Sequence, residues 1–225
     1  RTTPISKAAV MASRKGIIVC SSAGNYGNNS WYYIGTPADA DSILSVGAVY
    51  ADETPTSFSS FGPSADNRVK PSISAQGGNT TVYSTGDYVT TSNGTSFSSP
   101  IIAGMTACLW QAHPDKTNME VMSAIMQSAH LYNMPNDQLG YGIPNYILAN
   151  GLLSIEDENN PFLSVYPNPL KNHSQLYVFM ANAENITYGL YNQEGKQVAY
   201  QEVSSSSRII QIDIPQLSIG IYLLE

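Results

Sequence analysis

The stretch Asn93-Gly94-Thr95-Ser96-Phe97-Ser98-Ser99-Pro100 runs straight into Ile101-Ile102-Ala103-Gly104-Met105-Thr106-Ala107-Cys108-Leu109-Trp110. Few folds accommodate both halves. The first half is small and hydroxyl-bearing, which suits a tight turn. The second half carries no charge and is apolar almost all round, which predicts a buried helix over 101–112. Pro100 fits the first helical turn, where N–H groups have no intrahelical partner, and Pro114 stands just past the end, where proline stops a helix. A serine at the mouth of a buried helix lies beside orphan N–H groups and the positive end of the helix dipole. Negative charge developing on an attacked carbonyl is favoured there. A serine-rich helix cap is the plainer reading of the same residues.

Upstream, residues 3–15 are Ala-rich and suited to a helix, with Thr3 as cap, Pro4 in the first turn and Gly16 as the stop. Ile17-Ile18-Val19-Cys20-Ser21 is then a continuous apolar run. Directly after a helix it predicts a buried strand of a parallel sheet. Ser22-Ala23-Gly24-Asn25 stands at its carboxyl end, where open α/β sheets form their sites. Asn25 reads either as a turn residue or as an amide donor aimed at an oxyanion. Ile43 to Val49 predicts a second buried strand.

Gly94-Thr95-Ser96-Phe97-Ser98-Ser99-Pro100 closely resembles the nucleophile motif of the subtilisin-like serine peptidases, the subtilases. A strand followed by Ala23-Gly24-Asn25, some seventy residues before that motif, matches the same pattern. The resemblance implies Ser96 as nucleophile and an oxyanion hole made of the Asn25 side chain and the Ser96 backbone N–H. It implies that Gly94 and Thr95 shape the turn, and that Ser22, Ala23, Gly24 and Thr95 line part of the substrate pocket. The segments Thr56 to Pro63 and Lys70 to Gly77, and Gly140-Tyr141-Gly142-Ile143-Pro144-Asn145 with a short helix to Asn150, also look like subtilase blocks. Ser72 and Gln76 depart from the pattern. They stand where the family usually has Asp and Pro, which touches loop packing rather than chemistry.

A peptidase of this type needs an imidazole base and a carboxylate that orients it. In the family both precede the nucleophile in the chain. No histidine precedes Ser96 here; the three are His113, His130 and His173. His113 ends the predicted helix, roughly 25 Å from Ser96 at about 1.5 Å per residue. The resemblance therefore implies a C-terminal part of a subtilase domain, lacking its Asp and His and inactive alone, with sheet edges and core faces left uncovered. The opening Arg1-Thr2-Thr3-Pro4 already lies inside a helical pattern, so the true N-terminus is expected elsewhere.

After Pro114, Thr117-Asn118-Met119-Glu120 forms a capping box. It predicts an amphipathic helix with Met119, Met122, Ile125, Met126 and Ala129 on its core face.

From Leu153 the character changes. Residues 154–161 read as an acidic linker. Beyond it come short alternating segments, Leu176/Val178/Met180, Ile186 to Tyr191, Val198 to Val203 and Ile210/Ile212/Ile214, with turns at 192–195 and 204–207. That spacing predicts a small β-sandwich. Val165-Tyr166-Pro167-Asn168-Pro169, Leu190 to Lys196 and Leu217 to Leu223 resemble the C-terminal sorting domain of type IX secretion cargo. The resemblance implies export to the cell surface or the medium by that machinery. In the family a final basic strand usually follows, so the tail is expected to be truncated.

Only 12% of the residues are charged and the formal net charge is -7, which argues against nucleic acid or anionic membrane as partner. No apolar run approaches the ~20 residues of a membrane-spanning helix. Cys20 and Cys108 are too few for a disulfide framework, and both sit in apolar runs, so buried free thiols are expected.

The fold class expected is thus α/β. A partial subtilisin-like parallel-sheet domain with flanking helices spans 1–153, a linker 154–161, and a small all-β Ig-like sandwich 162–225. The function expected is a secreted serine endopeptidase acting on polypeptides, with Ser96 and Asn25 as catalytic residues. No cofactor is identified. Calcium is implied only by the family resemblance and its ligands are unknown. The rival is a non-catalytic surface binding protein on a subtilase scaffold.

Overall fold

The computed structural model describes residues 2–154, 164–166, 176–179, 186–203, 209–212, 214 and 220–224. The chain divides into two compact units, 1–150 and 151–225.

Helix α1 (Pro4–Arg14) forms as the sequence predicts. The Thr3 hydroxyl accepts the N–H of Ser6 at 3.3 Å, and Pro4 occupies the first turn, where no N–H is needed. At the other end Gly16 adopts φ 85° and donates its N–H to the Ser13 carbonyl at 3.0 Å. Ala9 packs against Ala40 and Ile43, with Val10 and Val19 at the margin. Ser6 donates to Asp39 Oδ1 at 2.6 Å and so ties the helix to the loop before the central strand.

Strands β1 (Cys20–Ser22), β2 (Leu44–Val49) and β3 (Ile73–Gln76) form a parallel sheet in the order β1-β2-β3. The register pairs Cys20 with Leu44 and Val46 with Ile73. All six residues of β2 are buried, as suits the middle strand of a covered parallel sheet. The first strand differs from expectation. Ile17, Ile18 and Val19 lie outside β1, and Ile17 is exposed. Among the described strands β1 pairs only with β2, so one edge is uncovered and the apolar run before it is not enclosed.

Helix α2 (Thr95–Ala112) packs across β1, β2 and β3. Its buried stripe is Thr95, Ser98, Ile102, Thr106 and Leu109, one face at helical spacing. The expectation of burial all round is corrected. Ile101 and Met105 are 41% and 43% exposed, and Cys108 is exposed with them. The three-stranded sheet covers one side of the helix, and the described residues do not cover the opposite side.

Between β3 and α2 stands an antiparallel hairpin, β4 (Thr80–Tyr83) with β5 (Val89–Ser92), which the sequence reading passed over. The signal was present as two β-branched runs split by Gly86-Asp87.

Helix α3 (Asn118–Gln127) has the predicted capping box. Thr117 Oγ1 accepts the N–H of Glu120 at 3.3 Å, and Glu120 Oε2 accepts the N–H of Thr117 at 2.7 Å. The Thr117 hydroxyl, which donates to Glu120 Oε2 at 2.6 Å, and then the Thr117 N–H hold the Glu120 carboxyl below its usual range. Its core face is Val121, Met122, Ala124 and Ile125. Met119, expected in the core, is exposed, because Asn118 takes the inward position and donates from Nδ2 to the Ser13 carbonyl at 2.8 Å. Helix α4 (Tyr146–Ser154) opens on Asn145, whose Oδ1 accepts the N–H groups of Ile147 and Leu148. It continues past Asn150, where the sequence reading ended it.

Ser72, one of the departures from the family pattern, is buried beside an equally buried Lys70. Lys70 Nζ donates to Ser72 Oγ at 3.2 Å and to the Ile43 carbonyl at 3.3 Å. Ser72 Oγ in turn donates to the Ile43 carbonyl at 3.2 Å. Burial, and then the positive charge of Arg68, lower the Lys70 amine to about 8.

The second unit holds β6 (Ser164–Tyr166), β7 (Leu176–Phe179), β8 (Ile186–Tyr191), β9 (Gln197–Val203), β10 (Ile209–Ile212) and β11 (Leu223–Leu224). They form two antiparallel three-stranded sheets, ordered β10-β7-β6 and β11-β8-β9. One apolar cluster draws on both: Leu176, Val178, Ile210 and Ile212 from the first and Tyr188 from the second. The turn at 192–195 forms on Asn192, whose Oδ1 accepts the N–H groups of Glu194 and Lys196, with Gly195 at φ 76°. Met180, residues 155–161 of the expected linker, the turn at 204–207, Pro167-Asn168-Pro169 and Leu217-Ser218-Ile219 lie outside the described residues.

Candidate active site

Two elements meet here, the carboxyl end of β1 and the amino end of α2. Ser22 is the last residue of β1. Ala23 is buried against Ile34 and Ala38; its N–H bonds the Val46 carbonyl at 2.9 Å and its carbonyl accepts the Gly35 N–H at 3.0 Å. The chain then turns at Gly24, whose φ of 111° disfavours any side chain. A Cβ at Gly24 would stand 2.8 Å from Ser60 Oγ, and the Gly24 carbonyl accepts the Ser60 N–H at 2.9 Å.

That turn presents Asn25 to Thr95. Asn25 Oδ1 accepts the Thr95 backbone N–H at 2.9 Å and the Thr95 hydroxyl at 3.0 Å. The same hydroxyl accepts the Gly24 N–H at 3.2 Å. Thr95 is buried, Gly24 half-buried and Asn25 exposed, so the clasp has its inner end in the protein and its outer end at the surface. With its oxygen engaged twice, the Asn25 side chain turns its Nδ2 donor away from Thr95.

Ser96 follows Thr95 in the first turn of α2 and is exposed. Its backbone N–H has no hydrogen-bond partner among the described residues. Pro100 lacks the N–H that would have closed the first turn onto the Ser96 carbonyl. Ser98 Oγ donates to the Thr95 carbonyl at 3.0 Å and steadies that turn. The amino end of α2 therefore carries an exposed serine next to a residue that is hydrogen-bonded to the Asn25 side chain.

Asn25, Gly24 and Thr95 are joined by hydrogen bonds; Ser96 follows Thr95 in the chain, and Ala23 and Ser22 precede Gly24. Sequence reasoning missed the Thr95 hydroxyl as the link between the two elements. It also missed the Tyr26 ring, whose Cε2 lies 3.3 Å from where a Gly24 Cβ would be. Only the hydroxyl had a signal, its place between Gly94 and Ser96.

The histidines stand apart. His113 follows α2 at its far end, with Nε2 2.9 Å from Asn150 Oδ1. His130 Nδ1 accepts the Ile143 N–H at 3.0 Å. His173 lies outside the described residues. Both cysteines are free. Burial pushes the Cys20 thiol up to about 11. Cys108 does not follow the expectation of burial, because it rides the outer face of α2. Among the described residues no group of three His, Cys, Asp or Glu side chains is placed to hold a metal ion, and no helix is long and apolar enough to cross a membrane.

The Subtilase family profile matches residues 1–142, and that of the secretion system C-terminal sorting domain matches 164–225. Serine protease AprX of Bacillus subtilis is 34% identical over 139 residues, covering 52% of this chain and 31% of AprX. Subtilisin DY of Bacillus licheniformis is 34% identical over 131 residues, covering 57% of this chain and 45% of that protein. The chain thus spans less than half the length of these curated relatives. In fold it is similar to the PatG macrocyclase solved in complex with peptide, with a TM-score of 0.55, 24% identity, and coverage of 66% of this chain and 47% of that one. MycP1 from the ESX-1 type VII secretion system superposes with a TM-score of 0.52 and 23% identity, over 68% of this chain and 46% of that one. The sorting tail marks a protein that is secreted or held at the cell surface. A parallel sheet capped by a serine-bearing helix, a fixed asparagine beside it and a family profile over residues 1–142 agree: the chain belongs to the subtilase family and carries a type IX secretion sorting domain behind its peptidase segment.

Proposed function

We propose that this chain is the C-terminal part of a secreted serine endopeptidase that cleaves polypeptides through an acyl-enzyme on Ser96. The observation that supports the reading is the clasp of Asn25 on Thr95, the residue before Ser96 in the chain. In this reading Ser96 Oγ attacks the scissile carbonyl carbon and a base takes the hydroxyl proton. The oxyanion lies between Asn25 Nδ2 and the Ser96 N–H. The C–N bond then breaks, the base's proton leaves with the amine, and water hydrolyses the ester in a second round. Ser22, Ala23, Gly24 and Thr95 line the pocket for the residue that acylates Ser96.

In this reading the base and its orienting acid precede the nucleophile, as in the family, and no histidine precedes Ser96 in these 225 residues, while His113 and His130 are engaged elsewhere. The chain alone is therefore inactive. The tail, read as an Ig-like sandwich, is recognised by the type IX secretion machinery. Labelling the full-length secreted protein with a serine-directed phosphonate tests the reading, with an adduct expected on Ser96 and none on a Ser96→Ala variant. An unlabelled Ser96 in folded, matured protein would leave the non-catalytic scaffold as the better account.

A further inference from the structure

Tyr26 follows Asn25, and its backbone is fixed from several sides. Its N–H bonds Ser60 Oγ at 3.0 Å, and its carbonyl accepts the Asn29 N–H at 2.8 Å. The next residue, Gly27, donates to the Phe58 carbonyl at 3.0 Å. The ring lies over two glycines. Its Cδ2 and Cε2 stand 3.2 and 3.3 Å from the Cβ position of Gly24, and Cε2 stands 3.4 Å from that of Gly35. Gly35 is itself held against the strand end by its N–H bond to the Ala23 carbonyl. The ring therefore packs on backbone that has no side chains of its own. Tyr26 remains 45% exposed, so its outer face is open to a ligand.

We propose that Tyr26 sets the specificity of this site, closing the space above Gly24 and Gly35 so that the residue acylating Ser96 carries a small side chain: Gly, Ala or Ser. The inference rests on the acyl-enzyme reading given above. In that reading the carbonyl oxygen bonds Asn25 Nδ2, and the Cβ of its residue, three bonds further on, is taken to lie beside the chain neighbours of Asn25, Gly24 and Tyr26. A methyl or hydroxymethyl group fits beside the ring. A Leu or Phe side chain meets ring carbon where the two glycines would otherwise leave room. Hydrophobic pockets distinguish side chains by roughly 10–200-fold per methylene of fit, so a lost ring is enough to change the preferred substrate.

The test uses the full-length secreted protein and a fluorogenic peptide series varied only at the acylating residue through Gly, Ala, Ser, Leu and Phe. The wild type is expected to show the highest kcat/KM for the three small residues. Tyr26→Ala is expected to raise kcat/KM for Leu and Phe by about 10-fold or more, with Ala peptides changed by less than about 3-fold. Tyr26→Phe, which keeps the ring, is expected to keep the wild-type order. Efficient wild-type cleavage after Leu or Phe overturns the inference and leaves the peptidase reading standing. A small-residue preference that Tyr26→Ala does not relax also overturns it, since something other than the ring would then set the limit. No cleavage of any peptide, with no phosphonate adduct on Ser96, overturns the peptidase reading and this inference with it.

Discussion

Asn25 and Thr95 are 70 residues apart in sequence and share two hydrogen bonds, both accepted by Asn25 Oδ1, at 2.9 Å from the Thr95 N–H and 3.0 Å from the Thr95 hydroxyl. The first satisfies an N–H at the start of α2 that has no intrahelical partner. The second holds the amide against rotation, because an Nδ2 in place of Oδ1 could not accept either donor. The neighbour of Thr95 is Ser96, so the Asn25 side chain is bonded one residue from the serine.

Replacing Asn25 by Ala in the full-length protein is therefore expected to slow the acylation of Ser96 by about 10²–10³-fold. That is the scale measured for an amide donor of this kind in a subtilisin, a relative of this chain. Phosphonate labelling rates measure it directly. Folding should survive, because Asn25 is exposed and the Thr95 hydroxyl keeps its bond from the Gly24 N–H. A labelling rate unchanged within threefold would show that Asn25 Nδ2 does not meet the oxyanion.

Thr95→Val removes the hydroxyl and keeps the shape. The Gly24 N–H loses its acceptor and Asn25 one of its two donors. Leaving such groups unpaired costs roughly 1–3 kcal/mol, to be read from urea denaturation followed by tryptophan fluorescence. Labelling of Ser96 should slow as well, since the amide is less firmly held. Thr95→Ser keeps the hydroxyl and should recover most of both. Equal behaviour of the Val and Ser variants would rule out the hydroxyl as the link.

Local signals were legible in the sequence where a short rule fixes the geometry. The Thr3 cap with Pro4, the Thr117 and Glu120 box and the Asn192 turn all formed where their residue types predict. The nucleophile segment was legible because turn and helix chemistry coincide over eight residues. Burial was not legible. Ile101, Met105 and Ile17 are apolar in sequence and exposed in the fold, because burial depends on what packs opposite. Lys70 errs the other way, a charged residue 4% exposed. Its ammonium is enclosed by the Ile43 carbonyl and Ser72, partners 27 and 2 residues away that no periodicity connects. The Tyr26 ring was missed for the same reason, since its contacts are with glycine backbone.

Gly24→Ala tests whether the turn after β1 needs glycine. At φ 111° a side chain is strained, and the new Cβ would crowd Ser60 Oγ at 2.8 Å and the Tyr26 ring at 3.2 Å. A non-glycine residue in such a conformation costs on the order of 1–3 kcal/mol. The shift in urea midpoint measures it. Ser60 Oγ also holds the Tyr26 N–H, so the amide hydrogen exchange of Tyr26 should speed up in the variant. An unchanged midpoint would mean that the turn relaxes freely.

Lys70 makes stability depend on pH in a direction opposite to that of a lysine in a salt bridge. Its amine is lowered from 10.5 to about 8, first by burial and then by the nearby charge of Arg68, while Asp41 and Asp66 push it back up. Between those two values the unfolded chain holds more protons than the folded one. The free energy of unfolding therefore rises with pH through that window, by up to about 1.4 kcal/mol per pH unit, and is flat below it. The measurement compares wild type with Lys70→Met, which fills the same space without a proton to lose. The difference in stability, wild type minus variant, is expected to be constant from pH 6 to about 7.5 and to grow in favour of wild type from about pH 8 to 10.5. A difference that stays level or shrinks across that range would show that the Lys70 ammonium reaches water in the folded protein.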